Sequence, residues 1–163
     1  MKKLVISILL LNFLAACASD KPLETEAVAG QAGSAQQAAP AADVDVDPLN
    51  DSGSILAKRS VYYPFDVSAV QDDDKPVVQA HAKYLSEHSD RSVRLEGNAD
   101  ERGSNEYNLA LGQRRAEGVR KMLVLGGAKS SQIETSSYGE EKPVASGHDE
   151  ASWSQNRRTD IKY

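Results

Sequence analysis

Between Ala18 and about Ser52 the chain holds no aromatic residue and no apolar stripe, so any folded core must be built from the residues beyond Ser52. The stretch AVAGQAGSAQQAAPAADVDVD is rich in Ala, Gln, Gly, Ser and Asp. Such a composition buries too little apolar surface to offset the cost of ordering the backbone. It reads as a flexible linker, with a marginal helix through the alanines as the alternative. As a coil, about 36 such residues span roughly 35 Å; fully extended they reach on the order of 120 Å.

Ahead of the linker, Lys2 and Lys3 precede an apolar run from Leu4 to Leu14, interrupted only by Ser7 and Asn12. That run is about a dozen residues, whereas a membrane-spanning helix needs roughly 20. A positive start, a short apolar core and small residues after it mark a secretory signal peptide. The small residues are Leu14-Ala15-Ala16-Cys17, a bacterial lipobox, which implies cleavage after residue 16 and acylation of Cys17. Ordinary signal cleavage with a spare thiol is the alternative. Cys17 is the only cysteine, so no internal disulfide can form even in an oxidising compartment. Each buried lipid methylene adds about 0.8 kcal/mol, so two or more chains, palmitate among them, anchor firmly. Ala18 after the cysteine favours the outer membrane, with the folded part in the periplasm. The expected organisation is a signal peptide over 1–16, lipidated Cys17 and linker over 17–53, and one domain over 54–163.

Within the domain, Val61 to Phe65 is β-branched and aromatic, which suits a strand. Asp72, Asp73 and Asp74 lead into a helix near Pro76 whose face carries Val77, His81, Tyr84, Leu85 and His88. Val93 to Glu96 alternates as a half-buried strand does, and Gly97 to Gly103 is a polar loop. A long helix runs from about Ser104 to Leu125, stopped by Gly126 and Gly127. Gln132 to Tyr138 and Arg158 to Tyr163 read as two more strands, with a short helix from Asp149 to Asn156 between them. Strands alternating with helices imply an α/β layer fold. The net charge of −5 carries no basic excess, which argues against nucleic acid as a partner.

The long helix contains an anomaly. At 100° per residue, Tyr107, Leu111, Val119, Met122, Leu123 and Leu125 share an apolar arc, and Gln113, Arg114, Glu117, Arg120 and Lys121 lie opposite. Arg115 falls in the middle of the apolar arc, with Asn108 beside it. An unpaired buried charge costs several kcal/mol, so Arg115 must snorkel, pair with an internal carboxylate, or line a cleft.

The segment GNADERGSNEYNLALGQRRAEGVR, Gly97 to Arg120, resembles the OmpA-like peptidoglycan-binding domain family. YYPFD at Tyr62 to Asp66 is similar to that family's opening strand, SYGEEKP at Ser137 to Pro143 to its third-strand exit, and NRRTDIKY to its last strand. Asn98 departs from the pattern, standing where many relatives have histidine. The resemblance implies an α+β sandwich of βαβαβ-β order, with helices packed on one four-stranded mixed sheet. It also implies that Asp100 and Arg115 hold the side-chain end of diaminopimelate in the peptidoglycan stem peptide. That end carries an ammonium and a carboxylate on one carbon: Asp100 would take the first, and the planar fork of Arg115 suits the second. Asn108 would add a neutral hydrogen bond or hold the loop, and Gly97 and Gly103 would let the backbone approach the ligand. Asp66 is either a further ligand contact or a turn residue. Glu101 and Arg102 belong at the rim, unless they pair with each other or with a protein. Asn156 and Arg157 read as structural. The implied partners are peptidoglycan, the Tol-system protein TolB, and further TolA or the OmpA porin; the implied role is to tie the outer membrane to the wall in envelope integrity and cell division.

A hydrolase is the rival class, since Asp66, Asp100 and Glu101 offer carboxylate pairs. However, Arg102 and Arg115 nearby would lower carboxylate pKa values, whereas a general acid needs a raised one. No Gly-x-Ser-x-Gly elbow, HExxH or P-loop occurs. His81 and His88 are too widely spaced for an i, i+4 metal pair, so neither a metal nor another cofactor is expected, nor an enzymatic activity.

Overall fold

The computed structural model describes residues 47–163; the signal peptide, Cys17 and most of the linker expected from the sequence lie outside the described residues. The elements are β1 (Ser60–Tyr62), α1 (Lys75–Glu87), β2 (Val93–Asn98), α2 (Asn105–Leu125), β3 (Ile133–Gly139), α3 (Glu150–Asn156) and β4 (Arg158–Lys162). They build one four-stranded sheet in the order β1-β4-β2-β3. β2 and β3 run parallel, joined through α2, while β4 is antiparallel to both β1 and β2. This is the mixed α/β sheet expected from the sequence.

Local chemistry sets the boundaries. Pro76 lies in the first turn of α1, where its missing N–H costs nothing. Ser104 caps α2 by accepting the Tyr107 backbone N–H, and Gly126 ends it. Asp149 caps α3 through the Ser152 N–H. In β2, alternation buries Val93 and Leu95 and leaves Arg94 exposed to pair with Glu134 across the parallel register. The core joins Val61, Leu95 and Ile161 from the strands to Val78, Ala82 and Leu85 of α1 and Ala116, Val119 and Leu123 of α2. Among the described residues, no helix is long and apolar enough to cross a membrane.

The buried face of α2 differs from the arc expected from hydropathy. Leu125 is 87% exposed and Tyr107 45%, while Asn108, Leu111, Gly112, Arg115, Ala116, Val119 and Leu123 are buried. The reason is close approach. A Cβ on Gly97 of β2 would lie 1.9 Å from the Gly112 carbonyl oxygen, so helix and strand meet backbone to backbone. Only small residues fit there, and the buried stripe rotates toward Asn108 and Arg115.

The packed region also starts ahead of the boundary expected near Ser54. Leu49 is buried in a small cluster with Leu56 and Tyr84. Asp47 accepts from the Tyr84 hydroxyl at 3.2 Å and pairs with Arg91 at 2.8 Å, and Arg59 donates to the Leu49 carbonyl at 2.7 Å. Composition hid this strap because one leucine and one aspartate suffice to dock it.

Candidate binding site

The Gly97–Gly112 crossing positions the site. One residue beyond Gly97, the Asn98 carbonyl accepts from Arg115 Nη1 at 2.7 Å, one turn along α2 from Gly112. Arg115 Nε donates to the Val67 carbonyl at 2.9 Å, and Nη2 makes a longer 3.4 Å contact to the Pro64 carbonyl. The Tyr63 ring lies beneath the guanidinium, 4.8 Å from its centre. Arg115 is fully buried, yet among the described residues its hydrogen-bond partners are carbonyl oxygens and no carboxylate lies within ion-pair distance. A guanidinium has five N–H donors, so each terminal nitrogen keeps one that these carbonyls do not use. Burial pulls the group down to about 10, which still leaves it protonated at neutral pH.

Arg115 forms one wall of a cavity of about 180 Å³ that also meets Phe65, Asp66, Asp100, Asn108 and Arg157, with Arg102, Gly103, Tyr107 and Leu111 completing it. Asp100 sits in the turn between β2 and α2, almost wholly buried. Its Oδ1 accepts the Arg102 backbone N–H, and its Oδ2 accepts from Arg102 Nη2 at 2.6 Å and from Arg157 Nη1 at 3.1 Å. Burial pushes the Asp100 carboxyl up, but these hydrogen bonds outweigh it and hold the pKa below its ordinary 3.8. A depressed folded-state value means that Asp100 adds stability above pH 3.8, and that this is lost as pH falls through the depressed value. A carbon-detected NMR titration should place the Asp100 midpoint below 3.8; a midpoint at or above it would contradict this electrostatic picture.

Three guanidinium groups (Arg102, Arg115, Arg157) meet the carboxylates of Asp66 and Asp100 around the cavity, and Glu150 pairs with Arg102 and Arg157 beside it, so Arg115 is the cation here without a carboxylate partner among the described residues. Asp66 adopts a left-handed backbone with φ of 59°, as Asp does more readily than most residues, and accepts a hydrogen bond from the Tyr107 hydroxyl. Asn108 donates to Glu140, holding the β3 exit against α2. Gly103, with φ of 113°, closes the loop onto Tyr107 and Asn108.

Two residues depart from the sequence reading. Glu101 does not line this cavity: its carboxylate turns to the far side of the loop, where it accepts from Trp153 Nε1 at 2.8 Å and bonds His148 Nδ1 at 2.7 Å. Neighbouring loop residues point opposite ways, and the indole N–H offers Glu101 a partner that the cavity does not. Arg157 in turn belongs to the site. It bonds Asp100, the Tyr63 carbonyl and Glu150, tying the start of β4 to the loop. Nothing local in the sequence marks that role, which depends on β4 lying between β1 and β2. Asn98 keeps its side chain buried, with Nδ2 on the Glu96 carbonyl and Oδ1 unpartnered among the described residues.

The comparisons with known proteins agree with this architecture. Residues 62–157 match the OmpA family. The peptidoglycan-associated lipoprotein of Pseudomonas aeruginosa is 46% identical over 114 residues, 70% of this chain and 67% of that protein. The peptidoglycan-associated lipoprotein of Agrobacterium fabrum is 37% identical over 154 residues, 94% of this chain and 83% of the relative, so that alignment takes in most of the residues ahead of Asp47. The crystal structure of the peptidoglycan-associated lipoprotein from Burkholderia pseudomallei superposes with a TM-score of 0.71 at 59% identity, over 72% of this chain and 99% of that one. With matches over most of the chain and a shared fold, the chain belongs to the OmpA family and, within it, to the peptidoglycan-associated lipoproteins.

Proposed function

We propose that the cavity binds the diaminopimelate-containing stem peptide of peptidoglycan non-covalently, and that the chain thereby ties the outer membrane to the wall. The observation that carries this reading is Arg115, a buried cation at a cavity wall with two N–H groups unused by protein carbonyls. A ligand carboxylate would neutralise it and complete its fork. Asp100, with Asp66 nearby, supplies negative charge for an ammonium on the same ligand carbon. The relatives' name, peptidoglycan-associated lipoprotein, fits this chemistry.

The acylated Cys17 and the linker ahead of Asp47 form the membrane end of the bridge in this reading, with the domain in the periplasm. The domain acts as a binder and not as an enzyme: a carboxyl held below its ordinary pKa suits holding a cation and does not suit a general acid. TolB, with TolA and the OmpA porin, are the proposed protein partners, on the strength of family membership. Wall and TolB are proposed to compete, and simultaneous full binding of both in a pulldown with isolated peptidoglycan would remove that competition.

The test is cosedimentation with sacculi of two chemistries. Sacculi containing diaminopimelate should retain the protein, and sacculi with lysine in that position should retain it at least about tenfold less, because lysine lacks the carboxylate that Arg115 takes. Equal retention would mean that another feature of the wall is recognised.

A further inference from the structure

Asp100 presents one oxygen, Oδ2, that is crowded with donors and another, Oδ1, that is not. Its Oδ1 accepts the Arg102 backbone N–H at 3.1 Å, while Oδ2 accepts Arg102 Nη2 at 2.6 Å, Arg102 Nε at 3.3 Å and Arg157 Nη1 at 3.1 Å. A carboxylate offers about four lone-pair sites. These are two per oxygen, so Oδ2, with three donors, is oversubscribed while Oδ1 keeps one; an incoming ammonium that pairs with Oδ2 must replace a donor already present.

The two arginines are unequal candidates for replacement. Arg157 is buried and fixed by further bonds to the Tyr63 carbonyl and to Glu150. Arg102 has a side chain 30% exposed, projects from the β2–α2 loop, and makes one of its two side-chain bonds to Asp100 at a long 3.3 Å. Its guanidinium carbon lies 4.0 Å from the Phe65 ring centre and 4.2 Å from the Trp153 ring centre. Attraction between a cation and two ring faces depends weakly on which way the N–H groups point. The guanidinium can therefore turn between the rings without losing them. A second carboxylate is within reach, with Glu150 Oε2 3.6 Å from Nη2.

We propose that Arg102 holds, on Asp100 Oδ2, the place of the ligand's ammonium, and that a ligand carrying ammonium and carboxylate on one carbon displaces it from Asp100 toward Glu150. This rests on the reading that Asp100 receives the ammonium. Competition for one carboxylate has two consequences. The apparent affinity for such a ligand is lowered by the fraction of molecules in which Arg102 still holds Asp100. A simple cation meets the same barrier without the compensating contact to Arg115, so the device selects ligands that bring both charges together.

The experiment is calorimetry on the full-length protein, wild type and Arg102→Ala, with two synthetic peptides. One ends in meso-diaminopimelate. The other ends in 2-aminopimelate, which keeps the distal carboxylate and lacks the distal ammonium. Arg102→Ala should bind the diaminopimelate peptide about three- to tenfold more tightly, while the aminopimelate peptide should gain nothing. Trp153 is the sole tryptophan, so emission from the wild type reports the stacked guanidinium directly. It should change on saturation with the first peptide and not with the second. Weaker binding of the diaminopimelate peptide by Arg102→Ala, an equal change for both peptides, or a Trp153 signal indifferent to the first peptide would each overturn the stand-in. Failure of the wild type to bind either peptide would instead overturn the Asp100–Arg115 site itself, and the stand-in with it.

Discussion

Arg115→Ala should lower retention on diaminopimelate-containing sacculi by about thirtyfold or more, the effect of the 2–5 kcal/mol expected when one partner of a buried, hydrogen-bonded charge pair is removed. The same change removes the hydrogen bonds to the Val67, Asn98 and Pro64 carbonyls. Of these the Asn98 bond is buried, and an unpaired buried carbonyl costs about 1–3 kcal/mol, so the variant should also melt earlier, and binding must be scored on protein shown by circular dichroism to be folded. Arg115→Lys separates the two roles. Its single ammonium keeps the charge but cannot reach three carbonyls and a carboxylate together, so binding should fall while net charge is unchanged. Folded Arg115→Ala that sediments like wild type would show that the cavity is not the wall site.

The second large effect is on stability and lies at the helix–strand crossing. Gly97→Ala would place a Cβ 1.9 Å from the Gly112 carbonyl oxygen and 2.6 Å from its carbon, both backbone atoms that no rotamer change can move. Overpacking a tight core costs about 1–3 kcal/mol when side chains can adjust, and this contact should exceed that range. The expected result is an unfolding free energy lower by more than about 3 kcal/mol in denaturant titration, or failure to fold. Gly118→Ala on the same helix is the control. Its Cβ would meet only the Ser68 carbonyl oxygen at an ordinary 3.5 Å, so helix propensity should make it neutral or stabilising by up to about 1 kcal/mol. Equal destabilisation by both changes would contradict the close crossing.

These two positions also mark how far the sequence could be read. The alternation around Val93–Glu96, the serine cap ahead of the long helix and the paired glycines after it located β2 and α2 to within a residue or two, because those signals are local. Arg115 stood out because a charge in an apolar arc is itself a local anomaly. What periodicity could not supply was the distance between helix and sheet. The Gly97–Gly112 contact rotates the buried stripe of α2 and leaves Tyr107 and Leu125 exposed. Side-chain direction within the loop was equally hidden: Asp100 turns into the cavity and Glu101 away from it, decided by Arg157 and Trp153, more than 50 residues later. Arg157 entered the site only through sheet order, since β4 inserts between β1 and β2. The strap at Asp47 and Leu49 was lost in a composition that otherwise describes a linker.

The most direct test of the central claim is a crystal structure of the protein with a stem peptide ending in meso-diaminopimelate. The distal carboxylate should lie within hydrogen-bond distance of the Arg115 terminal nitrogens, with the ammonium on the same carbon at Asp100. A peptide bound elsewhere, with Arg115 still meeting only the Val67, Asn98 and Pro64 carbonyls, would contradict it.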